Sequence, residues 1–339
     1  MEITPHDITA FLSEQPLGRE DAFGRTLLGH IPANNSYGLA EMNVAIRVSH
    51  PRREGQDENL HMQFKPIFDY HLLRSSDTLN FLIHLSLHTE VSQRWPITGL
   101  GIANLTPPNP IIFQTQTLAW NELKLCFLKH RNIIGLIGFS ETKENFYLVY
   151  EMVQARPLSE LVKGLTWEQA LKVLKGTVSG LAFLHSHPEG PFVHSNISTN
   201  SILVTKDFVP KIVDFRCCVV EGQKTTHDNP RYYPSQQEGA GVVKADIFAF
   251  GLVALQLITK DGRTAYAVEE GLDMSPRHIL DLYVPMFKEK GNLVHASYGQ
   301  EKESRKITEM IFNCLKKDSQ LDLKSFHRDL VLLSLAKQC

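Results

Sequence analysis

The sequence of 339 residues lacks the features of a disulfide-linked, membrane-spanning or nucleic-acid-binding protein. Its five cysteines are odd in number, and their spacing fits neither a disulfide framework nor a zinc site. No apolar run reaches the ~18 residues that a membrane-spanning helix needs. The 35 basic and 37 acidic residues leave a formal net charge of -2. We therefore expect no strong attraction to nucleic acid or to an anionic membrane.

The start of the chain lacks targeting signals. Residues 1–10 show no basic start followed by an apolar stretch, so no secretory signal peptide is predicted. Glu2 excludes N-myristoylation, which requires glycine at this position. The odd number of cysteines favours a reducing compartment. Together these absences predict a cytoplasmic protein.

The composition, 42% hydrophobic and 21% charged, is that of a globular chain with two domains or one large two-lobed domain. A strand-rich part precedes a larger helical part, which predicts the α+β class. Apolar periodicity predicts the following elements: strands over 17–30, 43–48, 133–139, 145–152, 202–205 and 211–214; helices over 120–130, 158–161, 166–185, 245–259, 275–288 and 304–317. Thr166 is the expected N-cap of the longest helix.

Residues 51–110 interrupt this pattern. They contain consecutive prolines at 107–108 and an apolar stretch over 79–87 with no evident partner. An ordered insertion, disorder and a gene-model artefact all remain open for this segment.

Six stretches carry a resemblance to a known family. They are NELKLCFLKHRNIIGLIGF (121–139), YLVYEMV (147–153), VHSNISTNSILV (193–204), VDFR (213–216), GLAFLH (180–185) and ADIFAFGLVALQLIT (245–259). With this order and spacing, the chain resembles the protein kinase superfamily, and within it the plant receptor-like and receptor-like cytoplasmic kinases (RLK/Pelle group). The resemblance covers residues 14–50 and 113–330.

The resemblance implies a bilobal kinase-like fold, with a small β-rich N-lobe and a large helical C-lobe. It divides the chain into an N-terminal leader (1–13), an N-lobe with the start of the hinge (14–153) and a C-lobe (154–339). The N-lobe contains the unassigned segment 51–110.

The nucleotide end of the site departs from the family pattern. The glycine loop, LGREDAFGRT over 17–26, keeps Gly18 and Gly24 but lacks the middle glycine. Carboxylates at Glu20 and Asp21 would repel phosphates, and a plain β-hairpin is the alternative interpretation. The resemblance places Glu151 and Val153 in the hinge that faces adenine.

The family's β3 lysine is replaced by Arg47, in VAIR over 44–47. Arginine keeps the charge but presents a planar fork rather than a point charge. The resemblance implies a pair between Arg47 and Glu122, although 75 residues (122 − 47) separate them. The alternative is that Arg47 is solvated.

The loop that carries the family's catalytic residues is the most altered segment. Asn196 replaces the proton-accepting aspartate, Ser198 the lysine on the γ-phosphate, and Ser201 the asparagine that binds magnesium. Ser195 replaces the arginine that would bind an activation-loop phosphate. We expect His194 to remain as a packed structural histidine.

Asp214 keeps the metal-binding position of the D-F-G motif, but Arg216 replaces its glycine. Asp214 could still hold a metal ion. From charge, we expect Arg216 to engage Asp214 or another acid and to take the place of the cation. Farther along, Ser235 and Asp322 stand where the family places a buried glutamate–arginine pair.

These substitutions predict a pseudokinase that signals by binding other proteins, such as an active receptor-like kinase or an immune receptor. A weakly active Ser/Thr kinase that uses Asp214 and a truncated product are the alternatives. ATP binding is expected to be weak and magnesium binding doubtful. The expected location is the cytoplasm, at the inner face of the plasma membrane through partners. Thr225 and Thr226, in the activation segment over 214–235, are candidate phosphoacceptors whose phosphates a binding protein could recognise. An inert solvated loop is the alternative interpretation.

Overall fold

The computed structural model describes residues 1–17, 24–49, 122–123, 128–142, 145–188, 190–223, 242–261, 276–299, 303–316 and 321–335. Several predictions lie outside these ranges. They concern Gly18, Glu20, Asp21, segment 51–110, Thr225, Thr226 and Ser235.

The first part of the chain forms an antiparallel five-stranded sheet. Its strands are β1 (Leu12–Pro16), β2 (Gly24–Ile31), β3 (Met42–Ser49), β4 (Leu136–Glu141) and β5 (Phe146–Glu151), in the spatial order β1-β2-β3-β5-β4. Every neighbouring pair is antiparallel.

Both faces of this sheet are covered, which explains the continuous apolar sequence of its central strands. Successive side chains of a strand point to opposite faces. Ala45 and Leu148 therefore pack into the main core, whereas Val44, Ile46 and Val149 pack into a second apolar cluster.

The N-terminal segment (residues 1–11) covers the face that carries the second cluster. It contains α1 (Pro5–Phe11), and Ile3, Ile8 and Phe11 are buried there. The main chain of residues 1–3 also pairs with the outer edge of β4: Ile3 N donates to Phe139 O at 2.7 Å, and Phe139 N donates to Met1 O at 2.9 Å. The segment expected to be a leader thus packs as part of the N-lobe.

The second part is largely helical, which confirms the predicted α+β class. Its elements are β6 (Ala155–Pro157), α2 (Leu158–Leu161), α3 (Trp167–His185), β7 (Phe192–Val193), β8 (Ile202–Thr205), β9 (Pro210–Ile212), β10 (Val219–Val220), α4 (Val243–Thr259), α5 (Pro276–Lys290), a 3-10 turn (Ala296–Tyr298), α6 (Ser304–Cys314) and α7 (Leu323–Leu335). None of the helices in the described ranges is long and apolar enough to cross a bilayer.

Helices α3 and α4 form the centre of the C-lobe. Thr166 caps α3 through a reciprocal capping box with Gln169, as the N-cap prediction required. Helix α4 is buried nearly all round, and α6 packs closely against one side of it at Gly251. A Cβ at Gly251 would lie 2.8 Å from the Cβ of Cys314.

Two predicted elements are shorter than expected. The helix predicted over 120–130 includes Glu122 and Leu123, but residues 128–130 are not helical. There the His130 ring accepts a hydrogen bond from Asn132 N at 3.2 Å, which stabilises a turn. Strand β9 ends at Ile212 rather than at Asp214, because Asp214 adopts a left-handed conformation with φ +68° that does not fit a strand.

Candidate functional site

A buried carboxylate on α4 fixes the loop that follows β7. Asp246 accepts hydrogen bonds from His194 N at 2.7 Å and Ser195 N at 2.9 Å, and its Oδ2 lies 3.0 Å from His185 Nε2. Burial acts to raise the pKa of Asp246, but the His185 ring and the loop N–H groups outweigh burial and lower this pKa. The ionised carboxylate therefore holds the start of the loop in place.

His194 has a packing role in this structure. Its Nδ1 accepts a hydrogen bond from Asn196 N at 3.1 Å, so the ring proton is on Nε2, which donates to Val213 O at 3.0 Å. Its ring meets Phe215 edge-on, with the ring centroids 4.5 Å apart. Complete burial lowers the pKa of His194, which keeps the imidazole neutral.

The two serines at catalytic positions bind the loop's own backbone. Ser201 Oγ donates to Asn196 O at 2.8 Å and accepts from Ser198 N at 2.9 Å. Ser198 Oγ accepts from Ser201 N at 3.2 Å. Both residues are buried. Their hydroxyl groups therefore maintain the loop's shape rather than face a ligand.

The Asp214 carboxylate is held by two side chains of the same chain. Arg216 donates from Nε to Oδ1 at 2.6 Å and from Nη2 to Oδ2 at 2.9 Å. Asn196 Nδ2 donates to Oδ2 at 2.9 Å. The side chains of Asp214 and Arg216 are only 6% and 3% exposed, so the pair is shielded from water. Arg216 therefore forms the expected ion pair with Asp214.

Charge explains why this buried Asp214 stays ionised. Burial acts to raise its pKa, but the Arg216 guanidinium, through charge and hydrogen bonds, and the Arg47 charge outweigh burial. The pKa of Asp214 is therefore below its ordinary value. Asn196 contributes donor hydrogens here, and its amide cannot take up a proton as a carboxylate would.

Arg47 and Glu122 both line one small cavity. The space in it that the centre of a water molecule can reach is about 20 Å³. This volume holds roughly one water molecule. Asp214 also lines it, and the Tyr150 hydroxyl donates a hydrogen bond to Glu122 Oε2. Both predicted pair members are buried, so Arg47 is not solvated.

Thr26 is a cavity residue that the sequence analysis missed. Thr26 on β2 lies opposite Arg47 on β3 and lines the same cavity. Its buried hydroxyl has no hydrogen-bond partner in the part of the chain that the structure describes. The signal was available, because antiparallel pairing of the two predicted strands places Thr26 opposite Arg47.

Gly24 is explained by strand packing. Its φ is +141°, and a Cβ there would lie 2.0 Å from Val48 O, so β3 can approach only because this residue is glycine. Its presence therefore needs no phosphate ligand to account for it.

The hinge residues differ in what their backbone can offer. Glu151 N donates to Gly135 O at 2.9 Å, and its carboxylate accepts from Gly135 N at 2.8 Å and from Lys211 Nζ at 2.7 Å. Val153 makes no hydrogen bond within the described ranges. Of these two residues, Val153 is therefore the one whose backbone N–H could bind a ligand.

Comparison with known proteins was decisive for the family. The sequence profile of the protein kinase domain matches residues 112–323. The chain belongs to the protein kinase family. The match includes the loop at 194–201, Asp214 and Asp246.

Similar proteins come from Arabidopsis thaliana. Cysteine-rich receptor-like protein kinase 25 is 29% identical over 172 residues, which are 46% of this chain and 26% of that protein. A probable leucine-rich repeat receptor-like protein kinase is 30% identical over 213 residues, 58% of this chain and 18% of that protein. The chain therefore spans about a quarter or less of the length of these relatives.

Kinase domains act with ATP and magnesium, and the residues present here fit these two ligands unequally. Within the described ranges, the backbone N–H of Val153 makes no hydrogen bond, so it could donate one to an adenine ring. The magnesium positions do not fit a metal ion, because Arg216 holds both oxygens of Asp214 and Ser201 is bonded within its loop.

Proposed function

We propose that this kinase domain is a pseudokinase that takes part in signalling through contacts with other proteins. The observation that carries the proposal is the buried ion pair in which Arg216 binds both carboxylate oxygens of Asp214. Phosphoryl transfer needs cations that neutralise the phosphate oxygens and a base near the substrate hydroxyl. Arg216 occupies the carboxylate that would hold the cation.

The position of the base supports the same proposal. Asn196 has an amide, which has no basic lone pair, and it directs its donor hydrogens at Asp214. Ser198 replaces the lysine that steadies the γ-phosphate and is committed to the loop backbone. Substrate activation, phosphate binding and metal binding are thus lost together.

The proposed mode of action is binding to an active receptor-like kinase or to an immune or signalling receptor. The similar proteins are named receptor-like protein kinases, which supports a pathway of this kind. We place the protein in the cytoplasm, at the inner face of the plasma membrane through its partners. The proposed lobes are 14–153 and 154–339, with residues 1–11 packed on the first.

A phosphotransfer assay tests the proposal. The unmodified chain is incubated with labelled ATP, magnesium and a general Ser/Thr substrate, and no label is expected in the substrate or in the chain itself. Asn196→Asp alone should not restore transfer, because Ser198, Ser201 and Arg216 remain. Autophosphorylation by the unmodified chain would contradict the proposal and favour the weakly active Ser/Thr kinase, in which Asp214 keeps a metal.

A further inference from the structure

A small hydrogen-bond network connects the N-terminal segment to the loop between β2 and β3. Thr4 N donates to the Tyr37 hydroxyl at 2.7 Å, and this hydroxyl donates to Asp7 Oδ2 at 2.6 Å. The Thr4 hydroxyl donates to the same carboxylate oxygen at 2.8 Å, and its oxygen accepts from Asp7 N at 3.2 Å. The network is therefore closed: the backbone and the hydroxyl of Thr4, the Asp7 carboxylate and the Tyr37 hydroxyl all depend on one another.

This network lies beside the contacts that attach the segment to the sheet. Ile3 N donates to Phe139 O, and Phe139 N donates to Met1 O. The main chain comes this close at Gly138, where a Cβ would lie 2.7 Å from Met1 O. Ile3, directly before Thr4, is fully buried. A change of charge at Thr4 therefore acts next to the attachment.

Thr4 has the features of a phosphate acceptor. Its side chain is exposed, and its backbone is extended, with φ -63° and ψ 150°, as is usual before a proline. Protein kinases bind the acceptor residue in an extended segment, and the proline-directed class requires a proline directly after it. Thr106 and Ser275 also precede proline, but they lie outside the described residues. Among the residues that the structure describes, Thr4 is the one with this pattern.

We propose that Thr4 is a phosphorylation site for a proline-directed serine/threonine kinase, and that its phosphate loosens the N-terminal segment from the sheet. In this reaction Thr4 Oγ1 forms a bond to the γ-phosphorus of ATP, the bond from that phosphorus to the β,γ-bridging oxygen breaks, and ADP leaves. The hydroxyl proton passes to the base of the acting kinase. This chain is the substrate of the step, so the proposal stands whether or not the chain itself transfers phosphate.

The Asp7 carboxylate makes this position sensitive to a phosphate. Hydrogen bonds from Tyr37 and Thr4 and the charge of His6 lower the pKa of Asp7, although desolvation opposes them, so Asp7 is ionised at neutral pH. Phosphorylation removes the hydrogen that Thr4 donates and adds about -1.5 to -2 charges. Two like unit charges about 4 Å apart disfavour their common state roughly fivefold in bulk water, so a phosphate beside Asp7 does so about twentyfold.

A phosphate at the start of a helix also has a favourable effect, which is smaller here. The partial positive charge at a helix start favours an anion by roughly two- to fivefold. Helix α1 has only seven residues, and Asp7 already places an anion in its first turn. Repulsion therefore exceeds the favourable effect, and the segment should open about four- to tenfold more often after phosphorylation.

The first experiment locates the phosphate. It uses the full chain with Thr106→Ala and Ser275→Ala, which leaves Thr4 as the only serine or threonine before a proline. An active mitogen-activated protein kinase, which is proline-directed, is supplied with ATP and magnesium, and mass spectrometry maps the product. Phosphate is expected on Thr4. Thr9→Ala should leave this phosphorylation unchanged, since Thr9 is exposed on the same helix but is not followed by proline.

The second experiment measures the attachment of the segment by hydrogen exchange. The amides of Ile3 and Phe139 should exchange about four- to tenfold faster in the phosphorylated chain than in the unphosphorylated chain, whereas the amides of α3 should not change. In Asp7→Asn the charge is absent, so phosphorylation of Thr4 should leave the exchange of both amides almost unchanged. Thermal unfolding of each variant shows whether the fold is intact.

Three results would overturn the proposal. The first is the absence of phosphate on Thr4 in the chain that keeps this threonine, a result that does not depend on the folding of any variant at residue 4. The second is equal exchange of the Ile3 and Phe139 amides with and without the phosphate. The third is the same acceleration in Asp7→Asn as in the chain with Asp7, because repulsion by that carboxylate would then not be the cause.

Discussion

The guanidinium of Arg216 and the carboxylate of Asp214 form an ion pair with two hydrogen bonds, 2.6 and 2.9 Å long, while both side chains are almost completely buried. The pair has a stabilising role only as a unit. An ionised carboxylate that is buried without a partner is costly, so neither member can be removed alone without a penalty.

We therefore expect Arg216→Ala to lower the free energy of unfolding by about 3–5 kcal/mol. The double variant Asp214→Leu with Arg216→Met should recover most of this loss, since it removes both members of the pair together. Urea unfolding followed by circular dichroism measures both. Arg156→Ala is the matched control, because its pair with Glu160 is exposed and such pairs contribute about 0–1 kcal/mol. Equal losses in the free energy of unfolding for Arg216→Ala and Arg156→Ala would show that the buried pair contributes no more stability than the exposed pair.

Nucleotide binding should be weak and independent of magnesium. Val153 can donate to adenine, whereas Arg216 holds the carboxylate that magnesium would need. A dissociation constant of ~1 mM or weaker is expected, about -4 kcal/mol. Thermal shift with ATP should be the same with magnesium and with a chelator. Val153→Pro, which removes the N–H, should abolish the shift. Low-micromolar binding that requires magnesium would contradict this prediction.

Stability should fall in mild acid. Burial lowers the pKa of His194, and the pKa values of His130 and His327 are lowered as well, by burial and by positive neighbours. Below an ordinary histidine pKa of about 6.5, the unfolded chain binds protons that the native state excludes. The free energy of unfolding is thus fully retained above about pH 6.5 and decreases as the pH drops below it.

Urea unfolding at a series of pH values between 7.5 and 5 measures this slope. His194→Gln should reduce the slope by up to about 1.4 kcal/mol per pH unit, the equivalent of one proton. Replacement of the exposed His6 by Gln serves as the control. An unchanged slope in His194→Gln would mean that this imidazole is not kept neutral by the fold.

The N-terminal segment should contribute directly to the stability of the N-lobe. Ile8 is fully buried against the sheet, and Ile8→Ala should cost about 2–5 kcal/mol. Tyr37→Phe should cost about 1 kcal/mol, because its hydroxyl donates to Asp7 Oδ2 at 2.6 Å and accepts from Thr4 N at 2.7 Å. His6→Ala, at an exposed position of the same helix, is the control. If Ile8→Ala and His6→Ala unfold alike, the segment does not stabilise the lobe.

The fold was largely predictable from the sequence because its apolar patterns are strong. The run over 245–259 is apolar nearly all round, and Thr166 with Gln169 marks a helix start, so α4 and α3 were predicted close to their observed bounds. Helix α1 was missed because it is short. Its start is set by Thr4 and by Pro5 at the first helical position, a local signal that apolar periodicity does not detect.

The contacts of the site were harder to predict than its residues. The sequence motifs identified Asn196 and Asp214 as site residues. They did not predict the hydrogen bond between the two side chains, or the left-handed backbone conformation of Asp214.

The hydrogen bonds between Ser198 and Ser201 have a consequence for the order in which catalysis could be regained by substitution. Each hydroxyl makes hydrogen bonds with backbone groups of the loop. Returning either residue alone to its catalytic type would remove loop bonds before any phosphate or metal contact could compensate for them. Under the proposed pseudokinase function, a single reversion at Ser198 or Ser201 should therefore give a chain that is less stable and still inactive.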